Sequence, residues 1–299
     1  MRKYVLIIAR GKGSRLWSIN TKIDGIDELL TINQIKRQLE KEYSIMVEKI
    51  EKSKESTDGN VFICYSNNKK YAIKIYDDII HTKAMTALHL KLISTGFDVP
   101  KIIFSKDNKE YITLYNKNLL VVYSFMEGKK IDWNKFGKID EYIINKIAKT
   151  LRKLHSVTNG ENKFELPKLP FINKSDINRY SVLHFDLTRN NIFINEYMKS
   201  EIGFIDFDDA KYGPSVCDVA IAIANLFFSK TRGVDIYGVY KFMDEYYYNE
   251  PELKNKEVPF IKKFALQWID YILDGNEFDT STTESFIIRR QLIDQNLLI

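Results

Sequence analysis

Val182-Leu183-His184-Phe185-Asp186-Leu187-Thr188-Arg189-Asn190-Asn191, followed by Ile202-Gly203-Phe204-Ile205-Asp206-Phe207-Asp208-Asp209-Ala210, is the most informative part of the chain. It sets a carboxylate and an amide, Asp186 and Asn191, at short spacing on a loop, and a second carboxylate, Asp206, after an apolar strand. A single Asp or Asn in a loop is ordinarily a turn or cap residue, because its side chain bonds to nearby backbone. The joint pattern fits a more demanding chemistry. Phosphoryl transfer needs a carboxylate that orients the attacking hydroxyl and takes its proton, together with oxygen ligands that hold Mg2+ on the phosphates. Mg2+ favours hard carboxylate and amide oxygens, and Asp186, Asn191 and Asp206 supply that set.

Ahead of this stretch the chain reads as sheet with one inserted helix. From Ile32 the residues Ile35, Leu39, Tyr43 and Met46 fall at helical spacing. A polar loop, Ser53 to Asn60, leads to strand-like runs at Val61 to Tyr65 and Tyr71 to Tyr76, with Asn67-Asn68 as a hairpin turn. The pattern predicts a helix over Ile79 to Ser94, closed near Gly96 and Pro100. Further strands are expected at Lys101 to Phe104, Tyr111 to Tyr115 and Leu119 to Phe125. After Glu127-Gly128 the character changes. Ile139 to His155 is helical, with Ile143, Ile147, Leu151 and Leu154 on one face, and from Ser215 onward helical spacing dominates. Between them, strands are expected at Asn191 to Asn195 and Glu201 to Ile205. Sheet first and helices later predicts an α+β chain of two lobes, with a cleft near Phe125 to Gly128.

Composition removes several classes of function. A net charge of +5 with acids scattered among the bases is no nucleic-acid footprint, which would gather basic residues on one face or tail. No apolar stretch approaches the ~20 residues that span a bilayer, and Val5 to Ala9 is too short for a signal-peptide core. Cys64 and Cys217 sit in apolar runs and read as buried thiols of a protein kept in a reducing cytoplasm.

The quoted stretch resembles the catalytic loop and metal-binding motif of the aminoglycoside phosphotransferase and choline kinase superfamily, the small-molecule relatives of the protein kinases. Tyr212-Gly213 and Cys217-Asp218-Val219-Ala220 extend the likeness, which covers roughly residues 31 to 260. The resemblance implies a protein-kinase-like two-lobed fold. Residues 1–126 would form a nucleotide-binding lobe of antiparallel β type, with 1–30 as an extra segment. Residues 127–299 would form the mainly α-helical catalytic and acceptor-binding lobe. It implies Asp186 as catalytic base, Asn191 and Asp206 as Mg2+ ligands, and His184, His155 and Asp218 as structural residues. Lys74, in Tyr71-Ala72-Ile73-Lys74, resembles the strand lysine that grips nucleotide phosphates. Ser124, Phe125 and Met126 would bind adenine as a hinge, and Gly59 would lie in the loop above the phosphates. The implied cofactors are ATP, or another nucleoside triphosphate, and Mg2+. The implied partner is a small-molecule hydroxyl acceptor, with no nucleic acid and no membrane.

The chain departs from the kinase pattern in two places. The helix over Ile79 to Ser94 has no acid to pair with Lys74, so Asp77, Asp78 or a polar residue would have to substitute. The loop over Ser53 to Asn60 offers only Gly59. The missing acid gives weight to an alternative, a non-catalytic module that binds a nucleotide or a partner. A third reading rests on Val5 to Leu16, where Gly11 to Arg15 is similar to the phosphate-binding opening of sugar nucleotidyltransferases. For the acceptor, Asp244, Glu245, Glu250 and Glu252 offer an acidic patch to a polycation. Tyr246 to Tyr248 with Trp268 offer an aromatic cage to a quaternary ammonium. An exposed helix end and ordinary core are the plainer readings of these two groups.

Overall fold

The computed structural model describes residues 25–53 (side chains from 32), 60–114, 117–131, 137–160, 162–169, 177, 179–195, 202–275 and 278–298. The Gly11 to Arg15 segment and Gly59 lie outside the described residues. The chain divides into two compact units, Met1–Glu127 and Gly128–Ile299.

The first unit contains α1 (Gly25–Glu42), β1 (Lys49–Lys52), β2 (Val61–Ser66), β3 (Lys69–Tyr76), α2 (Ile79–Ser94), β4 (Ile112–Thr113) and β5 (Leu119–Ser124). The strands form one antiparallel sheet in the order β1-β2-β3-β5-β4. Asn67 and Asn68 make the β2–β3 turn with φ of 46° and 61°, a left-handed pair that Asn tolerates better than most residues. Because strand side chains alternate, Phe62, Cys64, Ile73, Ile75, Leu120 and Val122 share one face, where Ile35 and Leu39 of α1 pack on them. Each such buried aliphatic side chain contributes about 1.5–3 kcal/mol.

Two expectations need correction here. Met46 does not extend the α1 stripe. The helix ends at Glu42, Ser44 turns left-handed with φ of 54°, and the amides of Tyr43 and Ile45 both donate to the Leu39 carbonyl, leaving Met46 63% exposed. Lys101 to Phe104 forms no strand of its own. It meets β5 through a single bridge, Ile102 to Tyr123, flanked by bonds from Ile103 N to Val122 O and from Ser124 N to Lys101 O.

The second unit begins with β6 (Lys129–Lys130) and α3 (Glu141–Val157), and continues with β7 (Tyr180–Leu183), β8 (Ile192–Ile194), β9 (Ile202–Phe204) and β10 (Lys211–Pro214). Next come α4 (Ser215–Phe227), β11 (Phe228–Ser229), β12 (Gly233–Val234), α5 (Ile236–Tyr246), α6 (Pro251–Gly275) and α7 (Thr280–Asn296). The α3 stripe runs through Ile144, Ile147, Leu151 and Leu154, so Ile144 takes the buried place expected of Ile143. Helix α4 is buried almost all round, and α5 and α6 pack beside it. An apolar surface on every side suits a helix at the centre of a unit. Among the described residues the chain is thus α+β, with an antiparallel sheet in the first unit and helices dominating the second. No described helix is long and apolar enough to cross a membrane.

Candidate active site

Two short antiparallel strand pairs carry the residues singled out in the second unit. Strands β7 and β10 pair antiparallel, as do β8 and β9. The loop between β7 and β8 holds His184 to Asn191. It turns on itself through bonds from Thr188 N to Asp186 O at 2.9 Å and from Asn191 N to Thr188 O at 3.0 Å. The next bond of this series, Ile205 N to Asn191 O at 2.9 Å, ties the loop to the end of β9, one residue before Asp206. The hairpin register therefore brings Asn191 and Asp206 to the same end of the β8–β9 pair.

Asn191 fixes Asp186. Its Nδ2 donates to the Asp186 carbonyl at 2.8 Å and to Asp186 Oδ2 at 2.9 Å. With the amide oriented in this way, the buried Asn191 Oδ1 has no hydrogen-bond partner among the described residues. A buried acceptor left in this state costs about 1–3 kcal/mol, and an oxygen ligand for a cation is one explanation for keeping it. Asp206 is 7% exposed and holds φ at 65°, and Phe185 holds φ at 67°. A non-glycine residue in the left-handed region costs on the order of 1–3 kcal/mol, and such residues cluster at sites that work. The donor set fits Mg2+, which takes one or two protein oxygens and fills its other positions with phosphate and water. Among the described residues no group of three or more His, Cys, Asp or Glu side chains forms an all-protein metal cage.

Asp218 and His184 support the loop from below. Asp218, wholly buried in the first turn of α4, accepts from His184 N at 2.7 Å through Oδ2 and from Phe185 N at 2.9 Å through Oδ1. These are the amides that the left-handed bend at Phe185 turns away from any strand partner, and charge-assisted bonds hold them well. His184 Nε2 lies 2.9 Å from Ile205 O, and its ring lies 4.6 Å from that of Phe207. His184 thus links the loop to the strand end that carries Asp206. Gly213 of the Tyr212-Gly213 pair has a steric reason, since a Cβ there would lie 2.7 Å from Leu169 Cδ1.

Sequence reasoning missed the network beneath Asp218. His155 Nε2 lies 3.2 Å from Asp218 Oδ2, and its Nδ1 lies 2.5 Å from the Tyr246 hydroxyl. Arg179 donates to Tyr246 Oη at 2.7 Å and to both oxygens of the buried Glu257, at 3.1 and 2.9 Å. Tyr247 also donates to Glu257, at 2.9 Å. Burial holds the His155 imidazole below its ordinary pKa, against the pull of Asp218. A neutral His155 then donates from Nε2 to Asp218 and accepts the Tyr246 proton at Nδ1. The His155 of Leu151-Arg152-Lys153-Leu154-His155 was legible as structural, but Arg179 and Glu257 stand in no motif.

These contacts place most of both candidate acceptor groups in the core or in ion pairs, with Tyr248 and Glu252 exposed. Tyr246 and Tyr247 are core residues, and Trp268 is buried, so they form no open cage. Glu245 pairs with Lys149, Asp244 with Lys254, and Glu250 reaches Arg179. The adjoining groove, of about 450 Å³, is lined by Lys149, Arg152, Lys153 and Arg179, with Glu250 as the one acid among the described residues.

The remaining candidates belong to the first unit. Lys74 is 4% exposed and pairs across the sheet with Val61 and Val121. It lies on the face opposite the α1 core, shared with Tyr76 and Tyr123, whose rings meet His81 and His89 of α2. Asp78 does not take the place of the absent α2 acid. Its Oδ1 caps the helix, accepting from Ile80 N at 2.5 Å and His81 N at 2.9 Å, the ordinary work of an Asp at that position. Of the hinge candidates, Ser124 N donates to Lys101 O and Phe125 N to Lys70 O, so both amides are used within the unit.

Residues 177–249 match the model of the phosphotransferase enzyme family, APH. That span holds Asp186, Asn191, Asp206 and Asp218. No curated protein matches the sequence. Solved structures match the fold over most of the chain. An amicoumacin kinase in complex with AMP-PNP, Ca2+ and Ami is 16% identical, with a TM-score of 0.66 over 90% of this chain and 94% of its own. A microcompartment-associated aminopropanol kinase is 12% identical, with a TM-score of 0.65 over 88% and 95%. The choline kinase LicA from Streptococcus pneumoniae is 14% identical, with a TM-score of 0.58 over 90% and 99%. The fold is like that of these small-molecule kinases, and the loop with Asp186 lies in the segment that matches the phosphotransferase family model.

Proposed function

We propose that this protein is an ATP- and Mg2+-dependent kinase that moves the γ-phosphoryl group to a hydroxyl of a small molecule. The observation that carries the reading is the Asn191–Asp186 bond with Asn191 Oδ1 left unpartnered. Asp186 orients the acceptor hydroxyl and takes its proton as the oxygen bonds to the γ-phosphorus. The bond from that phosphorus to the β–γ bridging oxygen breaks, and ADP leaves. Asn191 Oδ1 and the Asp206 carboxylate would hold Mg2+, which when bound offsets charge on the phosphate oxygens. Lys74 would grip the nucleotide phosphates, and the backbone from Ser124 to Met126 would meet the base. With the amides of Ser124 and Phe125 used, carbonyls and the Met126 amide are the groups left for that role. His184, Asp218 and His155 hold the loop in shape and touch no substrate.

A second reading, a nucleotide-binding module without turnover, draws on the lack of any acid in α2 and on the capping role of Asp78. Product analysis separates the readings. Incubation with MgATP and a panel of aminoglycosides, choline, ethanolamine, sugars and hydroxy amino acids should release ADP with at least one acceptor. Nucleotide binding with no product under any condition favours the second reading. Pyrophosphate release would favour nucleotidyl transfer through Gly11 to Arg15.

A further inference from the structure

Helices α4, α6 and α7 gather a polar and aromatic cluster beside the Asp186 loop, and no sequence motif marks it. On α6, Trp268 and Tyr271 are one turn apart and share a face. The Tyr271 ring lies 5.9 Å from Phe185, the residue before Asp186, and the Trp268 ring lies 6.0 Å from Phe286 of α7. One turn further along α7, the Arg289 guanidinium lies over that same Phe286 ring at 5.2 Å. Its hydrogen bonds go to neutral acceptors, from Nη1 to Asn225 Oδ1 at 2.9 Å and from Nε to Phe228 O at 3.2 Å. Among the described residues, three buried polar atoms of the neighbouring α4 and α6 side chains find no hydrogen-bond partner: Asn225 Nδ2, Gln267 Oε1 and Trp268 Nε1. Trp268 is only 3% exposed.

From this geometry we propose, resting on the kinase reading above, that Arg289 is the residue that recognises the acceptor, and that the acceptor carries a carboxylate or phosphate beside the hydroxyl to be phosphorylated. A guanidinium held by neutral partners has lost hydration without gaining a full counter-charge, and a buried charge in that state is costly. Burial pushes Arg289 down to about 10, and the Asp186 carboxylate is the charge that pulls it back. It stays a cation at neutral pH. The planar Arg fork, with Asn225 fixing one edge, suits two-point recognition of a carboxylate or phosphate. Electrostatics then sort the candidate acceptors. A polycation or a quaternary ammonium would meet a fixed positive charge, whereas an anion would complete the pairing.

The test uses the wild-type enzyme and Arg289→Gln and Arg289→Lys, with ADP release as readout. Acceptors are offered as matched pairs, a small hydroxy acid with its amide and a sugar phosphate with its free sugar, beside an aminoglycoside and choline. Wild type should prefer the anionic member of at least one pair, and the pair that responds tells carboxylate from phosphate. A charge-assisted bond to an anion supports about a 10- to 100-fold preference. Arg289→Gln should raise KM for the anionic acceptor by that factor, with the larger effect on KM than on kcat, and Arg289→Lys should restore part of it. Best turnover by wild type on an aminoglycoside or choline would overturn the proposal even if neither variant folds. So would an unchanged preference in Arg289→Gln. ADP release with none of the acceptors would instead remove the kinase reading, and this proposal with it.

Discussion

Asn191 Nδ2 lies 2.9 Å from Asp186 Oδ2, so the amide that would offer its oxygen to a metal also holds the carboxylate that would take the acceptor proton. Metal ligation and base positioning are coupled through one side chain. An Asn191→Ala variant should therefore lose both MgATP affinity and turnover. Asn191→Asp should keep an oxygen for the metal but place a second carboxylate against Asp186. Calorimetric titration of MgATP and steady-state ADP release would check this. If affinity is retained in Asn191→Ala, Asn191 is no ligand.

Asp186→Asn keeps the shape of the residue and removes its charge. A positioned base typically contributes ~10²- to 10⁴-fold. The variant should stay folded, bind MgATP as wild type does, and lose about that much turnover. Wild-type turnover would remove Asp186 from the chemistry.

Asp206→Ala should weaken MgATP binding more than Asp186→Ala does, because Asp206 would contact the metal and Asp186 the acceptor. Titrations of both variants in the presence and absence of Mg2+ separate the two roles. Equal losses would contradict the assignment.

Asp218 accepts two loop amides and faces His155. Asp218→Ala strands these donors in the core, at about 1–3 kcal/mol for each lost partner. Stability to urea should fall by at least about 3 kcal/mol, with turnover falling as the loop loosens. A stability change under about 1 kcal/mol would show that the loop amides find other partners.

His155 gives a pH signature. Burial depresses its folded pKa, so below about pH 6.5 the unfolded chain takes up a proton that the native chain refuses. Its contribution to stability is fully present above that pH. It is lost as pH falls toward the folded value, by up to about 1.4 kcal/mol per pH unit. His155→Gln removes the proton. The stability gap between wild type and variant should therefore narrow between about pH 7.5 and 5 in urea unfolding. A constant gap would mean that the native chain takes up the His155 proton as readily as the unfolded chain does.

The order of residues alone accounts for the local pieces. The β2–β3 hairpin is written in alternating apolar residues around Asn67-Asn68. The Asp186 loop is written in residues that bond to one another within a few positions, so its chemistry is legible in the order of its side chains. Met46 was misread because helical spacing continues past the point where Ser44 turns left-handed, and spacing says nothing of where a chain bends. Packing of remote segments settled that Arg179 and Glu257 pair beneath the loop and that Arg289 of α7 bonds to Asn225 of α4. Those contacts join segments far apart in the sequence, and their side chains are of kinds that ordinarily lie in solvent. Local periodicity fixes which face of a helix is buried, but only the packing of one helix on another decides which charges meet there.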